Sequence, residues 1–154
     1  MDRLSNQTLD RLGQPVPGYD RAALRPGILH FGVGNFHRAH QAIYLDDLFN
    51  RGEGHDWAII GAGVRAGDAT MRAHLLAQDC LTTLVELDPA GKSAEVTGAM
   101  TDFLPVQADN AALIAQMADP AIRIVSLTVT EGGYFIDPVS GALDTTHPDI
   151  AHDA

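Results

Sequence analysis

The stretch Ile28-Leu29-His30-Phe31-Gly32-Val33-Gly34-Asn35-Phe36-His37-Arg38-Ala39-His40 decides the fold. It opens with a short apolar run that ends in glycine, as a buried strand does. The breaker Pro26-Gly27 stands in front of it. Beyond the glycines, Phe36, Ala39, Ile43, Leu48 and Phe49 recur near a 3.6-residue period with no internal Pro or Gly, which predicts one helix over 36–50. A strand that passes through Gly-x-Gly into a helix is the setting of a dinucleotide fingerprint. Gly32 permits the tight turn, and Gly34 lets a pyrophosphate approach the backbone. Free N–H groups and the dipole at the helix start favour an anion there. Arg38, in the first helical turn, adds a charge-assisted contact. The candidate cofactor-binding set at this turn is therefore Gly32, Val33, Gly34, Asn35, Phe36, His37 and Arg38. The third glycine of Gly-x-Gly-x-x-Gly is missing, and His37 stands in its place. On local grounds, a glycine turn that merely reverses the chain remains the competing reading.

Working outward, residues 1–24 read as a lead-in with a short helical turn near Leu9 to Leu12. Gly13, Pro15, Pro17 and Gly18 then predict an extended surface segment rather than a core element. Trp57 to Gly61 reads as a second buried strand, and Asp68 to Gln78 as a helix with Met71, Leu75 and Leu76 inward and Asp68 as its cap. Leu81 to Leu87 and Ala94 to Met100 flank Asp88-Pro89-Ala90-Gly91 and read as paired strands around a turn. A helix over 110–117 follows Asp109, a good N-cap, and stops at Asp119-Pro120. Ile122 to Val129 is a strongly apolar strand that leads into Thr130-Glu131-Gly132-Gly133. The chain from Asp137 onward is polar and turn-rich, with no closing strand or helix in its last eight residues. Strand and helix alternation at this spacing predicts an α/β fold, a Rossmann-like doubly wound and mainly parallel sheet with helices on both faces.

The 154 residues are 45% apolar and 19% charged, which suits a globular domain and excludes a disordered tail or a disulfide scaffold. Ten basic against twenty acidic side chains leave a formal charge of −10. Such a chain repels phosphate backbones, so neither nucleic acid nor an anionic membrane is an expected partner. The lone Cys80 forms no internal disulfide, and no apolar run is long enough to span a bilayer. These features predict a cytoplasmic protein. His37 and His40, three residues apart, lack the further ligands a metal site needs, so no metal is expected.

Residues 27–49, GILHFGVGNFHRAHQAIYLDDLF, resemble the N-terminal strand–turn–helix of the polyol-specific long-chain dehydrogenases. Gly-x-Gly-x-Phe-His-Arg-Ala-His is the distinctive pattern, and it accounts for His37 at the glycine position. Gly61-Ala62-Gly63-Val64, the stretch from Gln78-Asp79 to Val85-Glu86, and Thr128 to Tyr134 match as well, so the resemblance spans roughly residues 20–138. It implies an oxidoreductase that interconverts a sugar alcohol and a ketose by NAD-dependent, metal-independent hydride transfer. Mannitol and fructose lead as the couple, with a hexuronate reductase of the same family as the alternative. A stand-alone nucleotide-binding module without catalysis is a rival of another class. In that family the general-base lysine and its asparagine and histidine partners lie on a C-terminal domain. Lys92, the only lysine here, matches no such motif, so no catalytic residue is assigned. The expected organisation is the lead-in over 1–24 and a dinucleotide-binding domain over 25–154. That domain is truncated, and the catalytic domain is absent.

Cofactor choice turns on the segment after the second strand, Gly63-Val64-Arg65-Ala66-Gly67-Asp68. Asp68 suits the ribose hydroxyls of NAD but equally suits helix capping, whereas Arg65 would favour the 2′-phosphate of NADP. Family habit favours NAD. Thr130, Glu131 and Gly132 follow the third strand at the sheet edge where ligands bind, and join the cofactor-binding set; a plain turn is the alternative there. Trp57 and Tyr44 read as packing residues, His30 as a satisfied buried histidine and Cys80 as an inert thiol.

Overall fold

The computed structural model describes residues 3–129 and 133–154. Thr130, Glu131 and Gly132 therefore lie outside the described residues. Four strands, β1 (Pro26–Phe31), β2 (Ala58–Ala62), β5 (Met100–Phe103) and β6 (Ile124–Leu127), form one sheet in the order β5-β2-β1-β6. All three neighbouring pairs are parallel. Helices cover both faces, as alternating apolar strands require. On one face Ile28 and Ile59 pack with Ala42 and Leu75; on the other Leu29, Ile60 and Ala62 pack with Leu113. A separate antiparallel hairpin, β3 (Thr82–Asp88) with β4 (Gly91–Thr97), turns at Asp88, whose carboxylate accepts the Ala90 N–H. The α/β, doubly wound expectation holds.

Several local expectations do not. The single helix over 36–50 is two, α1 (Asn35–Ala39) and α2 (Gln41–Asn50), broken where His40 adopts φ −131°, ψ −80°. Its inward face is also shifted. His37, Ala42, Asp46 and Phe49 are buried, while Phe36 is 64% exposed and Tyr44, read as a packing residue, is 72% exposed. The run Ala94 to Met100 divides at Gly98, and Met100–Phe103 leaves the hairpin to extend the parallel sheet as β5. The apolar strand at 122–129 is shorter and not buried. As β6 it is one edge of the sheet among the described residues, with Ile124, Val125 and Leu127 exposed. The C-terminal residues include a six-residue helix, α5 (Pro148–Asp153), with Pro at its first turn and the His147 ring accepting from the Asp149 N–H.

The helices α3 (Asp68–Leu76) and α4 (Ala111–Met117) lie within the expected spans 68–78 and 110–117. Asn110, not the expected Asp109, occupies the N-cap position of α4, in a left-handed conformation and with no side-chain cap bond, while the Asp109 carboxylate accepts the Ala111 N–H.

The lead-in is more than an extended surface segment. It forms 3-10 turns at Leu9–Arg11 and Arg21–Ala23, and Leu24 is buried with Phe49, Ala58 and Ala99. Arg21 donates to the carbonyls of Gly98, Asp79 and Met100 and to Asn6, which ties the lead-in to the start of β5. Asp46 on α2 is buried and accepts from the Tyr19 hydroxyl at 2.5 Å, the Gly98 N–H at 2.6 Å and the Asn50 amide at 2.9 Å. Burial raises the Tyr19 phenol, with the adjacent Asp46 acting in the same direction.

Candidate functional site

The carboxyl ends of β2, β1 and β6 meet in one place. Gly32 N–H donates to the Ala62 carbonyl at the end of β2, and Thr128 N–H donates to the Phe31 carbonyl from beyond β6. β1 lies between a strand reached by one crossover and a strand reached by another on the opposite side. That is the switch point at which open α/β sheets bind ligands.

The turn that leaves β1 is built for close approach. Gly32 sits at φ +77°, a conformation an L side chain rarely adopts, so glycine is demanded there by the backbone itself. Gly34 differs. Its backbone is extended, and a Cβ would meet nothing nearer than the Gly32 carbonyl at 3.9 Å. The protein's own packing therefore does not require a glycine at 34; an external group lying on the backbone would. Val33 points the other way and anchors the turn in the core, so close to Gly61 that a Cβ on that glycine would stand 2.9 Å from the Val33 side chain.

Gly34 at the N-cap of α1 offers no side-chain cap, and the first N–H groups of Asn35, Phe36 and His37 have no intrahelical carbonyl to meet. Arg38 lies over this turn. Its Nε donates to the Gly34 carbonyl at 3.3 Å and one terminal nitrogen donates to Asn35 Oδ1 at 2.6 Å, two of five available donors. Phe36 lies outside the cradle, stacked on the exposed His40 ring at 4.3 Å. His37 is 2% exposed and lies flat against His30. Burial pushes the His37 imidazole down to about 3, with His30 and Arg38 acting in the same direction. His30 is satisfied as expected, through Ser126 and Thr128.

Arg65 and Asp68 form a tight turn of their own after β2. Asp68 is the first residue of α3 and does not cap it. Its Oδ2 instead accepts the Arg65 N–H at 2.8 Å, and its side chain fills the space beside Gly63 so closely that a Cβ there would collide. The structure thus brings Gly32 to Arg38 together in one turn and sets Arg65 and Asp68 at the neighbouring strand end. The link from His30 to Ser126 and Thr128 was not legible in the sequence. It depends on the β1–β6 register, which pairs His30 with Ser126.

A cleft of about 530 Å³ lies elsewhere, between the lead-in and α3, lined by Asn6, Tyr19, Arg21, Asp79 and Cys80 among others. Its arginine is already committed to carbonyls, and burial pushes the Cys80 thiol up to about 11. Lys92 lies on the hairpin opposite Leu87. Among the described residues, no group of three or more His, Cys, Asp or Glu side chains is arranged to hold a metal.

A four-stranded parallel sheet with a glycine turn and an uncapped helix start at its switch point defines a Rossmann-like nucleotide-binding domain. Comparison with known proteins refines that class. The chain belongs to the Mannitol dehydrogenase Rossmann domain family, whose profile matches residues 26–153. It is 72% identical over 138 residues to a mannitol 2-dehydrogenase of Cereibacter sphaeroides, covering 90% of this chain and 29% of that protein. It is 43% identical to a polyol:NADP oxidoreductase of Gluconobacter oxydans, covering 97% of this chain and 32% of the relative. Among solved structures it resembles the Pseudomonas fluorescens mannitol 2-dehydrogenase in ternary complex with NAD and D-mannitol. The TM-score is 0.84 at 48% identity, over 99% of this chain and 32% of that one. The chain thus spans less than a third of the length of these relatives.

Proposed function

We propose that this chain is the NAD(H)-binding part of an oxidoreductase that interconverts a sugar alcohol and a ketose, with mannitol and fructose as the couple. One observation carries the reading: Gly34 at the switch point is free of internal crowding and open on the side where a pyrophosphate would lie. The turn fits the group. Its backbone N–H groups would hold the two phosphates, and Arg38 would add charge over them. Asp68, with one carboxylate oxygen on Arg65, has the other for a ribose hydroxyl. Thr130, Glu131 and Gly132 would border the nicotinamide end. The bound nicotinamide supplies the hydride acceptor or donor; these residues bind and orient it.

The polypeptide that extends the relatives beyond this length would supply the substrate-binding and catalytic residues, as well as cover for the exposed edge of β6. The lead-in over 1–24 and a dinucleotide-binding domain over 25–154 remain the organisation proposed for this part. A reducing, cytoplasmic compartment suits the lone, buried Cys80 thiol.

The test is titration of the full-length protein with NADH and NADPH, followed by oxidation assays with D-mannitol and each oxidised cofactor. NADH is expected to bind more tightly and mannitol to be oxidised with NAD, while the 154-residue chain alone shows no turnover. Clear preference for NADPH would give Arg65 the specifying role. Mannitol oxidation by the isolated chain would refute the division of labour.

A further inference from the structure

His37 replaces the residue that, in the glycine-rich fingerprint, gives close packing of helix on strand. Its ring takes over that contact. The His37 and His30 rings are parallel within 13°, with centroids 3.6 Å apart. His30 is held in turn across the strand boundary, its Nδ1 2.9 Å from Ser126 Oγ and its Nε2 3.1 Å from Thr128 Oγ1. One continuous set of contacts therefore runs from α1, through two rings, to the carboxyl end of β6. These are the two walls of the switch point.

The two ring nitrogens of His37 have no hydrogen-bond partner among the described residues, and both are buried. Among the described residues, hydrogen bonding thus does not account for the imidazole, since neither atom is satisfied there. What the ring contributes is its flat face. We propose that His30 and His37 are a positioning pair: the stacked rings fix the spacing between the glycine turn and the end of β6, and through it the affinity for the dinucleotide.

This rests on the dinucleotide-binding reading above, and one experiment separates the two. Full-length protein and three variants are titrated calorimetrically with NADH, with thermal unfolding measured in parallel. Thr128→Val is nearly isosteric and removes a hydroxyl that orients His30. His37→Gly restores the fingerprint glycine but deletes the stacked ring. His37→Phe keeps a flat ring and lacks the nitrogens. Misplacement on the scale of an ångström costs a preorganised catalytic site up to about 100-fold in rate; on the same scale, a partial loosening of the binding turn should raise Kd about tenfold.

Thr128→Val and His37→Gly are expected to bind NADH about tenfold more weakly, and His37→Phe to stay within roughly twofold of the unsubstituted protein. If His37→Gly does not fold, Thr128→Val and His37→Phe still decide. Unchanged affinity in Thr128→Val would overturn the proposal, as would a loss in His37→Phe equal to that in His37→Gly. A melting temperature that falls while Kd stays constant would reduce the pair to a packing role and overturn it likewise. Absence of NADH binding by the unsubstituted protein would refute the binding reading itself, and the positioning role with it.

Discussion

Acid should destabilise this protein through His37, beginning as the pH falls below about 6.5. The imidazole is buried against His30, with the Arg38 guanidinium nearby, and both neighbours oppose a positive charge on it. In the folded state the ring titrates at about 3, against 6.5 for the free side chain. Because the folded value is the lower one, the unfolded chain takes up the proton first. Stability therefore falls as pH drops below 6.5 and stops falling, for this group, near 3. At about pH 5 the difference is 1.5 pH units, or about 2 kcal/mol at roughly 1.4 kcal/mol per unit. The assay is urea unfolding at about pH 7 and about pH 5, comparing the protein with His37→Phe. His30, itself lowered by burial, contributes in the same direction in both proteins, so the difference between them reports His37 together with its coupling to His30. His37→Phe should lose about 2 kcal/mol less on acidification. Equal losses in the two proteins would refute the claim that the ring is buried neutral.

Two further perturbations test the site and the frame that holds it. Gly34→Val introduces a side chain where a Cβ meets only the Gly32 carbonyl at 3.9 Å, so the fold should persist while NADH binding, read by fluorescence titration, is lost; retained affinity would remove Gly34 from the site. Asp46→Ala leaves the Tyr19 hydroxyl and the Gly98 N–H without their buried acceptor and should cost about 2–4 kcal/mol in urea unfolding; a loss below about 0.5 kcal/mol would show that the network is dispensable.

The strands β1 and β2 and the helices α3 and α4 were legible because each is an apolar run or a 3.6-residue stripe bounded by Gly, Asp or Pro. What escaped was set by partners distant in sequence. Met100–Phe103 carries two polar residues among four and shows no run, yet it becomes a core strand by pairing with β2 and burying Met100 and Phe103. Ile124 to Leu127 reads as buried because it is apolar, but burial needs something packed on the face a side chain points to, and Ile124, Val125 and Leu127 on β6 remain exposed. In the helix after the glycines, hydrophobicity pointed Phe36 inward. The ring that goes inward is that of His37, because His30 presents a flat partner. The glycine turn was legible from residue order alone; its coupling to Ser126 and Thr128 was not, because it depends on strand register.

The acidic balance and the proposed anion site are compatible for a reason visible along the chain. From Arg21 to Leu45 there is no Asp or Glu at all, so the −10 charge is carried elsewhere. The arginines of that stretch are not loose attractors either. Arg21 and Arg25 donate to backbone carbonyls, and Arg38 leans on Gly34 and Asn35. Recognition of a pyrophosphate here would therefore fall mainly to oriented backbone N–H groups, which carry no net charge and depend on the shape of the turn. That explains why the missing third glycine is tolerable. In the fingerprint it serves the contact of helix on strand, not the phosphates. A stacked pair of neutral rings can replace that contact, provided the strand beneath carries a matching ring, as β1 does with His30.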